Sequence, residues 1–342
     1  MKKTYILRLK KVMSRMVKLT VIITAHDRKK FLLDAVNSAI NQTISRKHYE
    51  ILVVKNFKDD YIDNKLEDLG IINIITETKS LGGKIVLGVH EARGEIISIL
   101  EDDDLFLPNK IEKVIKVFSN NNYNISYYHN SYVHINEEGK ILSCPIKLNH
   151  PLLLNIREEK IRYIRKLFSD YYTIYNNSSI SIERSVIMRN KEYIKKLTYA
   201  LDIFLYYSSI LSNKGAFFDT EILTKQRIHK FNTKVRDENF YKWLSKMKER
   251  LENSIEEFTL IQKFLIENKI DDKIIRLIIA DRKVCLARLP NGYARRNLNI
   301  KDLFYYVIFH KRNIKDILQL FLIIAPNTFR LKSSKKWYEV EA

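Results

Sequence analysis

The first hundred residues alternate short apolar runs with amphipathic stretches. Runs at 19–24, 50–54, 71–76 and 96–100 have the length of strands and are rich in β-branched residues, which predicts strands buried on both faces. The stretches between them, such as residues 31–40, carry apolar side chains at helical spacing. This alternation predicts an α/β fold, Rossmann-like, with a mostly parallel sheet.

The alternation stops after about residue 120. Residues 125–143, with a turn at Asn136–Gly139, predict a hairpin and hence a small antiparallel part of the sheet. From about Val235 onward the spacing is helical, with many Lys and Glu residues. We therefore expect three regions, which are a basic lead-in at 1–17, an α/β domain at 18–233 and a helical C-terminal region at 234–342.

The fourth predicted strand runs directly into four carboxylates, Glu101, Asp102, Asp103 and Asp104. Ligands of open α/β sheets bind outside the carboxyl ends of the strands, so these acids stand at a candidate site. Four adjacent negative charges repel one another, and Mg²⁺ or Mn²⁺ compensates such a cluster through one or two carboxylates plus substrate phosphates. The alternative is a solvated acidic loop between a strand and a helix.

Composition narrows the classes of partner. The formal net charge of +20 favours anionic partners, namely nucleic acid, an acidic membrane surface or phosphorylated substrates. Two cysteines, Cys144 and Cys285, provide neither a disulfide framework nor a zinc site and fit a reducing compartment. The basic start has no apolar signal-peptide core, and no run is long enough to span a membrane, so we expect a cytoplasmic location.

Two nucleotide-binding classes lack their motifs. The first strand is followed neither by Gly-x-Gly-x-x-Gly nor by a P-loop, which argues against a dinucleotide-binding dehydrogenase and a P-loop enzyme. Instead, the order of the motifs resembles the family 2 glycosyltransferases, which have the GT-A fold, over about residues 18–232. The resemblance rests on these blocks: Val21–Arg28 with Ala35–Thr43, Tyr49–Val54, Ala92–Glu95 with Glu101–Asp104 and Pro108, and Leu201-Asp202 with Arg227–His229.

The resemblance implies an inverting transfer of a sugar from a nucleoside diphosphate donor, such as a UDP- or GDP-sugar, to a glycan or a lipid-linked or protein-linked acceptor. In the Asp-x-Asp motif of the family, Glu101 stands where the first acid meets the ribose. Asp103 stands where the second acid binds the metal, with Asp104 beside it. Asp202 matches the general base that takes the acceptor proton. Its alternative role is that of an exposed helix residue or an N-cap.

Further polar residues are assigned to the nucleotide and the diphosphate of the donor. Arg227 and His229 match a family segment that closes over the diphosphate, while Lys and Arg elsewhere suit phosphate. The complete set assigned to the nucleotide and diphosphate is Thr24, His26, Asp27, Arg28, Asn56, Lys84, Arg93, Glu101, Asp102, Arg227 and His229. One departure is the pair Lys55-Asn56, which stands where the family usually has acids that meet the base. This departure leaves the identity of the nucleotide undetermined. It also makes Asp27 the better candidate for contact with the nucleotide.

The C-terminal region mixes apolar helices with Lys and Arg. Trp337 and Tyr338 beside a basic cluster favour an anionic membrane surface, so that the protein would be peripheral on the cytoplasmic face. The alternative is a helical subdomain that packs on the catalytic domain or forms an oligomer.

Three other functions stay open from the sequence. A nucleotidyltransferase would also use acids and a metal, but should have a glycine-rich loop after the first strand. A non-catalytic basic protein would bind nucleic acid or an anionic glycan, although the acids repel phosphate without a metal, so we expect no nucleic acid. An inactive relative would bind donor only.

Overall fold

The computed structural model describes residues 17–170, 172–229, 239–290, 298–309, 317 and 320–341. The chain divides into two compact units, of which the first ends at Ile228 and the second begins at His229. The predicted basic lead-in and much of a predicted apolar helix at 314–324 lie outside the described residues.

The first unit contains the strands and eight α-helices in its described part. Its strands are β1 (Leu19–Ala25), β2 (Tyr49–Lys55), β3 (Ile72–Ile75), β4 (Ile96–Glu101), β5 (Leu105–Phe106), β6 (Ile125–Ile135), β7 (Ile141–Ser143), β8 (Leu152–Leu154), β9 (Ile180–Glu183) and β10 (Gly215–Arg227). Its helices are α1 (Leu32–Ile40), α2 (Asp60–Asp68), α3 (Leu81–Glu91), α4 (Lys110–Phe118), α5 (Arg157–Arg165), α6 (Arg184–Arg189), α7 (Lys191–Ile194) and α8 (Leu201–Ile210).

All ten strands join one sheet, in the order β3-β2-β1-β4-β9-β6-β10-β5, with β7 beside β6 and β8 beside β10. The strands from β3 to β4 are parallel to one another, and β6 is parallel to β10. Antiparallel pairing is confined to β9 and to the short strands β5, β7 and β8. The predicted α/β class, the mostly parallel sheet and the small antiparallel part are confirmed.

The core explains why the first strands are apolar throughout. Every residue of β1 and β2 is buried, as are the first five residues of β4, because helices cover both faces of the sheet. In the parallel register, Thr24 pairs with Glu101 and Ala25 with Lys55. The carboxyl ends of the three strands therefore meet at one edge, where the acids follow β4.

Close packing fixes the start of α3. Gly82 donates its N–H to the carbonyl of Leu197 at 2.8 Å, and a Cβ atom at this position would stand 1.8 Å from the carbonyl oxygen of Ile194. Only glycine allows this approach, which sets the position of Lys84 two residues later.

The predicted hairpin is confirmed, since β6 and β7 pair around the turn that contains Gly139. Ahead of β9, the chain forms a short 3-10 turn, Asn177–Ser179, and Asn176 before it has a φ of 79°. After β4, residues 105–106 pair with β10, and α4 begins at Lys110.

The second unit is helical in its described part, as predicted. It contains α9 (Phe240–Glu267), α10 (Lys273–Arg288), α11 (Ile300–Phe309), α12 (Phe321–Ile324) and α13 (Asn327–Glu341). One cluster of its buried side chains is formed by Trp243, Met247, Leu251, Leu286 and Leu289. Among the described residues, no helix has both the length and the apolar character needed to cross a bilayer.

Trp337 and Tyr338 pack inside the second unit. Both rings are partly buried against that cluster, with the ring centroids of Trp337 and Trp243 5.7 Å apart and those of Tyr338 and Trp243 5.5 Å apart. Part of their apolar area is therefore covered inside the unit, and the membrane surface inferred from these two residues stays a prediction.

Candidate functional site

The candidate site lies at the edge of the sheet where β1, β2 and β4 end. The residues that follow these strands are His26, Asp27 and Arg28 after β1, Asn56 after β2, and Asp102 to Asp104 after β4. The register of the parallel strands, rather than proximity in the sequence, brings these three groups together.

Arg28 is the nearest positive charge to the acids. Its guanidinium donates to Oδ1 of Asp102 at 2.5 Å and to Oδ2 of Asp103 at 2.7 Å. Both carboxylates are almost fully buried, whereas a third of the arginine side chain is exposed. One guanidinium thus bridges two adjacent acids, and its planar fork suits that geometry.

Arg28 does not remove the electrostatic cost of gathering four adjacent acids. Burial raises the pKa of Glu101 to about 7, with the charge of Asp103 adding to the effect. Burial and then Asp103 raise the pKa of Asp102 to about 7, and burial, Asp103 and Glu101 raise that of Asp104 well above its usual value. Oδ2 of Asp102 is buried and accepts no hydrogen bond from any described residue. The cluster can therefore accept a further cation.

Arg227, the last residue of β10, fixes the end of the cluster. Its backbone N–H donates to Oδ1 of Asp104 at 2.9 Å, and its Nε donates to the backbone carbonyl of Asp103 at 3.0 Å. The guanidinium also lies over the ring of Phe31, 4.4 Å from the centroid, and donates to the backbone carbonyl of Glu137. Arg227 therefore connects the acids to the turn of the hairpin.

Asp27 and Asn56 form a reciprocal pair at the exposed side of this edge. The backbone N–H of Asp27 donates to Oδ1 of Asn56 at 2.9 Å, and Nδ2 of Asn56 donates to Oδ1 of Asp27 at 2.8 Å. Asp27 has a φ of 53°, a left-handed conformation that Asp adopts more readily than most residues. The carboxylate of Asp27 remains 71% exposed and can meet a ligand.

Lys84 and His26 form a second pair beside it. Nζ of Lys84 donates to Nδ1 of His26 at 2.9 Å and to the backbone carbonyl of Lys79 at 3.2 Å. Burial lowers the pKa of Lys84, while burial and then the charge of Lys84 lower that of His26. The imidazole is thus held neutral, with Nδ1 as the acceptor. Lys84 is buried and is not the helix-surface charge that the sequence left open.

Lys55 explains part of the departure from the family pattern. Its side chain is fully buried, and its Nζ lies 2.7 Å from Oδ1 of Asp63 and donates to the carbonyl of Phe57 at 2.6 Å. The lysine therefore faces the fold between β2 and α2. Asn56 alone is the β2-end residue that reaches Asp27.

Asp202 lies in the first turn of α8 and is the one residue of that helix that is not buried. The backbone N–H of Asn176 donates to Oδ2 of Asp202 at 3.2 Å. The next residue, Asn177, donates from Nδ2 to Oε1 of Glu101 at 2.8 Å, and Oγ of Ser178 accepts the N–H of Glu101 at 3.0 Å. Three consecutive residues thus hold Asp202 and Glu101 together, and we call residues 176–178 the bridging turn.

A buried polar group supports the bridging turn from behind. Nζ of Lys110 donates to Oδ1 of Asn130 and, at 3.4 Å, to the carbonyl of Ser178. Oγ1 of Thr224 donates to the same carbonyl at 3.2 Å. Lys110 has no exposed surface, and burial lowers its pKa well below the usual value. These residues were missed from the sequence, where the only signals were the polar run Asn176–Ser179 before a strand and a lysine in an apolar helix.

Three assigned residues remain. Arg93 lies at the opposite, amino-terminal edge of the strands, where its Nε donates to Oε2 of Glu50 at 2.6 Å. The structure therefore does not bring Arg93 to the acids, and we leave it out of the proposed site. Thr24 is buried as the second-last residue of β1, where its carbonyl accepts the N–H of Asp102 at 3.2 Å and its hydroxyl has no hydrogen-bond partner among the described residues. His229 is buried and is the first residue of the second unit.

The acid cluster meets part of what a divalent-cation site requires. Within the described residues, no three acids, histidines or cysteines form a ready-made set of metal ligands. However, Mg²⁺ is commonly bound through one or two carboxylates plus substrate phosphates, which needs no such set. The buried, unpartnered oxygen of Asp102 and the raised pKa values of three acids show that a cation would relieve a real electrostatic cost.

Comparison with known proteins identifies the type of domain. Residues 20–180 match the family model for glycosyl transferase family 2. This part of the chain is therefore a glycosyl transferase family 2 domain. The match begins in β1 and ends at the start of β9, so it includes the acids and the bridging turn.

Individual relatives agree with this assignment. A protein of Rickettsia bellii named as an uncharacterised glycosyltransferase is 30% identical over 132 residues, which are 37% of this chain and 19% of that protein. One of Rickettsia typhi with a similar name is 24% identical over 63% of this chain and 65% of its own length. The chain thus spans between a fifth and two thirds of the length of these relatives.

Solved structures confirm the GT-A fold. Residues 1–349 of Staphylococcus aureus TarS, solved in complex with UDP-GlcNAc, align with a TM-score of 0.54 over 94% of this chain and 92% of that one. The same region of TarS in complex with UDP aligns with a TM-score of 0.53. Sequence identity is 11% in both cases, so the likeness is one of fold.

Proposed function

We propose that this family 2 enzyme transfers a sugar, with inversion, from a nucleoside diphosphate donor to an acceptor hydroxyl. The observation that carries the proposal is the bridging turn, which ties Glu101 of the acid cluster to Asp202 through adjacent residues. A donor-binding acid and a general base must lie close together for one transfer step, and no other described acid shares this link to the cluster. TarS supports a UDP-sugar as the donor, because its structures contain UDP and UDP-GlcNAc.

In this proposal the donor diphosphate lies against the acid edge. Asp103 and Asp104 would hold Mg²⁺ or Mn²⁺, which neutralises negative charge on the diphosphate. Arg28 and Lys84 are positive groups of the chain at the same edge, with Arg227 beside the acids. Glu101 accepts hydrogen bonds from the ribose, and Asp27 with Asn56 presents polar atoms to the base.

Asp202 performs the proton transfer. Its carboxylate takes the proton of the acceptor hydroxyl while the acceptor oxygen forms a bond to the anomeric carbon. The bond from that carbon to the diphosphate oxygen breaks on the opposite face, and the nucleoside diphosphate leaves with the bonding electrons. The N–H of Asn176 and that of Ile203 hold the carboxylate in place, at 3.2 and 2.8 Å. The acceptor is a glycan or a lipid-linked or protein-linked hydroxyl.

The two acids have separable roles, which gives the test. Asp103→Ala should abolish Mn²⁺-dependent binding of UDP-GlcNAc or another nucleotide sugar, measured by calorimetry. Asp202→Asn should leave that binding unchanged within about twofold but lower the transfer rate by 10²-fold or more, because a positioned general base contributes about 10²–10⁴-fold. Parental donor affinity in Asp103→Ala would refute the metal assignment, and parental turnover in Asp202→Asn would refute the base.

A further inference from the structure

The second unit exposes apolar side chains on one side of α11. Ile300 is 82% exposed, Phe304 63% and Val307 37%. Their spacing of four and three residues places them on one face of the helix. The other side of α11 is fixed inside the unit, since Tyr306 is buried and Asp302 pairs with Lys283 of α10 at 3.1 Å.

The two helices that follow α11 in the chain also carry exposed apolar side chains. Phe321 and Ile324 of α12 are 66% and 78% exposed, and Phe329 in the first turn of α13 is 63% exposed. Single exposed apolar residues are ordinary on protein surfaces. Six large ones within thirty residues of one helical unit instead indicate a surface that binds a partner. We call these six residues the exposed apolar set.

Exposed lysines accompany the apolar set on α13. Lys332 and Lys336 follow Phe329 by three and seven residues, so that they share its face, and Lys335 is exposed beside them. The inner side of α13 is occupied, because Arg330 is buried with its guanidinium donating to the carbonyl of Leu289 at 3.1 Å. We call Lys332, Lys335 and Lys336 the exposed lysines of α13; Nζ of Lys335 lies 5.8 Å from the ring centroid of Phe240 of α9.

We infer that this surface binds an anionic lipid bilayer. Apolar side chains with lysines beside them match the boundary between acyl chains and negatively charged headgroups. Between residues 300 and 336 the sequence has eight Lys and Arg against two Asp and no Glu, so the region is complementary to such a surface. A second copy of the chain fits less well, since lysine is depleted in protein–protein interfaces. The inference does not rest on the proposed transferase activity.

The first test is flotation of the full chain with vesicles of phosphatidylcholine alone or mixed with phosphatidylglycerol. We expect binding to the anionic vesicles, weakened by salt. Each basic side chain near an anionic surface contributes about fivefold, so Lys332→Glu, Lys335→Glu and Lys336→Glu together should weaken binding at least about 100-fold. The matched control reverses three exposed lysines of α9, Lys242, Lys246 and Lys248, with the same change in net charge. An equal loss in the control would overturn the inference in favour of a non-specific charge effect.

The second test distinguishes insertion of apolar side chains into the bilayer from electrostatic attraction to its surface. Ile300→Ser with Phe304→Ser should weaken vesicle binding roughly tenfold or more, because the apolar area no longer leaves water on binding. Ile266→Ser on α9, at 61% exposure, is the matched control and should bind as the parent does. Thermal melts should be unchanged, since all three side chains are exposed. Absence of binding to anionic vesicles would overturn the inference, as would a dimer in lipid-free solution that the Ile300 and Phe304 changes dissociate.

Discussion

Replacing Arg28 by methionine tests the electrostatics of the acid cluster without any activity assay. The substitution keeps most of the aliphatic length but removes the charge that bridges Asp102 and Asp103. Removing one partner of a buried ion pair costs about 3–5 kcal/mol, because the remaining charge is left buried. Since a third of Arg28 is exposed, we expect the lower end of that range, about 3 kcal/mol, in metal-free buffer.

Mn²⁺ should then restore the lost stability. If the freed carboxylates bind the ion, a concentration 100 times its dissociation constant adds about 2.7 kcal/mol to the free energy of unfolding, nearly the whole loss. Arg93→Met is the matched control, because Arg93 also pairs with a buried carboxylate, Glu50, at the far edge of the sheet. It should lose stability without recovering it in Mn²⁺.

Urea unfolding followed by circular dichroism gives these free energies, with EDTA or Mn²⁺ present. Both tryptophans of the chain, Trp243 and Trp337, lie in the second unit, so their fluorescence reports on that unit and serves as an internal reference. Parental stability of Arg28→Met would show that the guanidinium does not stabilise the acid cluster. Equal stabilisation of the Arg28 and Arg93 variants by Mn²⁺ would show that the ion does not bind at the acids.

Two further predictions concern stability away from the acids. Burial lowers the pKa of His129 from 6.5 to about 3, so the folded state binds fewer protons than the unfolded chain in that window. The free energy of unfolding should therefore fall by about 4 kcal/mol as the pH drops from about 6.5 towards 3. The fall should be smaller in His129→Gln. The same fall in this variant as in the parent would contradict the assignment to His129. Gly82→Ala should cost about 3 kcal/mol, because its Cβ would overlap a backbone carbonyl oxygen, whereas Gly88→Ala meets only the movable side chain of Ile22 and should cost less in the same urea titrations.

The features that could be predicted from the sequence are local ones. The strands β1, β2 and β4 are continuous apolar runs, and the acids follow β4 without a gap, so their position at a sheet edge needed no knowledge of distant contacts. Asn56 and Asp27 could be assigned to the same edge because each follows a parallel strand. Their mutual hydrogen bonds depend on the register of β1 and β2, which the sequence does not state.

The features that could not be predicted depend on contacts between distant segments. Asn177 is an ordinary polar residue until the antiparallel strand β9 places it against Glu101, 76 positions earlier in the chain. Arg93 was assigned to the diphosphate because a guanidinium binds phosphate well. Arg93 precedes β4, however, whereas the acids follow it. The full length of the strand therefore lies between Arg93 and the acids.

The bridging turn has a consequence for how this enzyme can change. In the proposed mechanism, neighbouring peptide units of this turn steer one acid for the donor and another for the acceptor. A substitution that tilts the turn should then disturb donor affinity and turnover together. We therefore expect substrate choice to vary through other residues at this edge of the sheet, such as Asp27 and Asn56, which are not part of the bridging turn. The short segment between Tyr175 and β9 should tolerate neither lengthening nor shortening by even one residue.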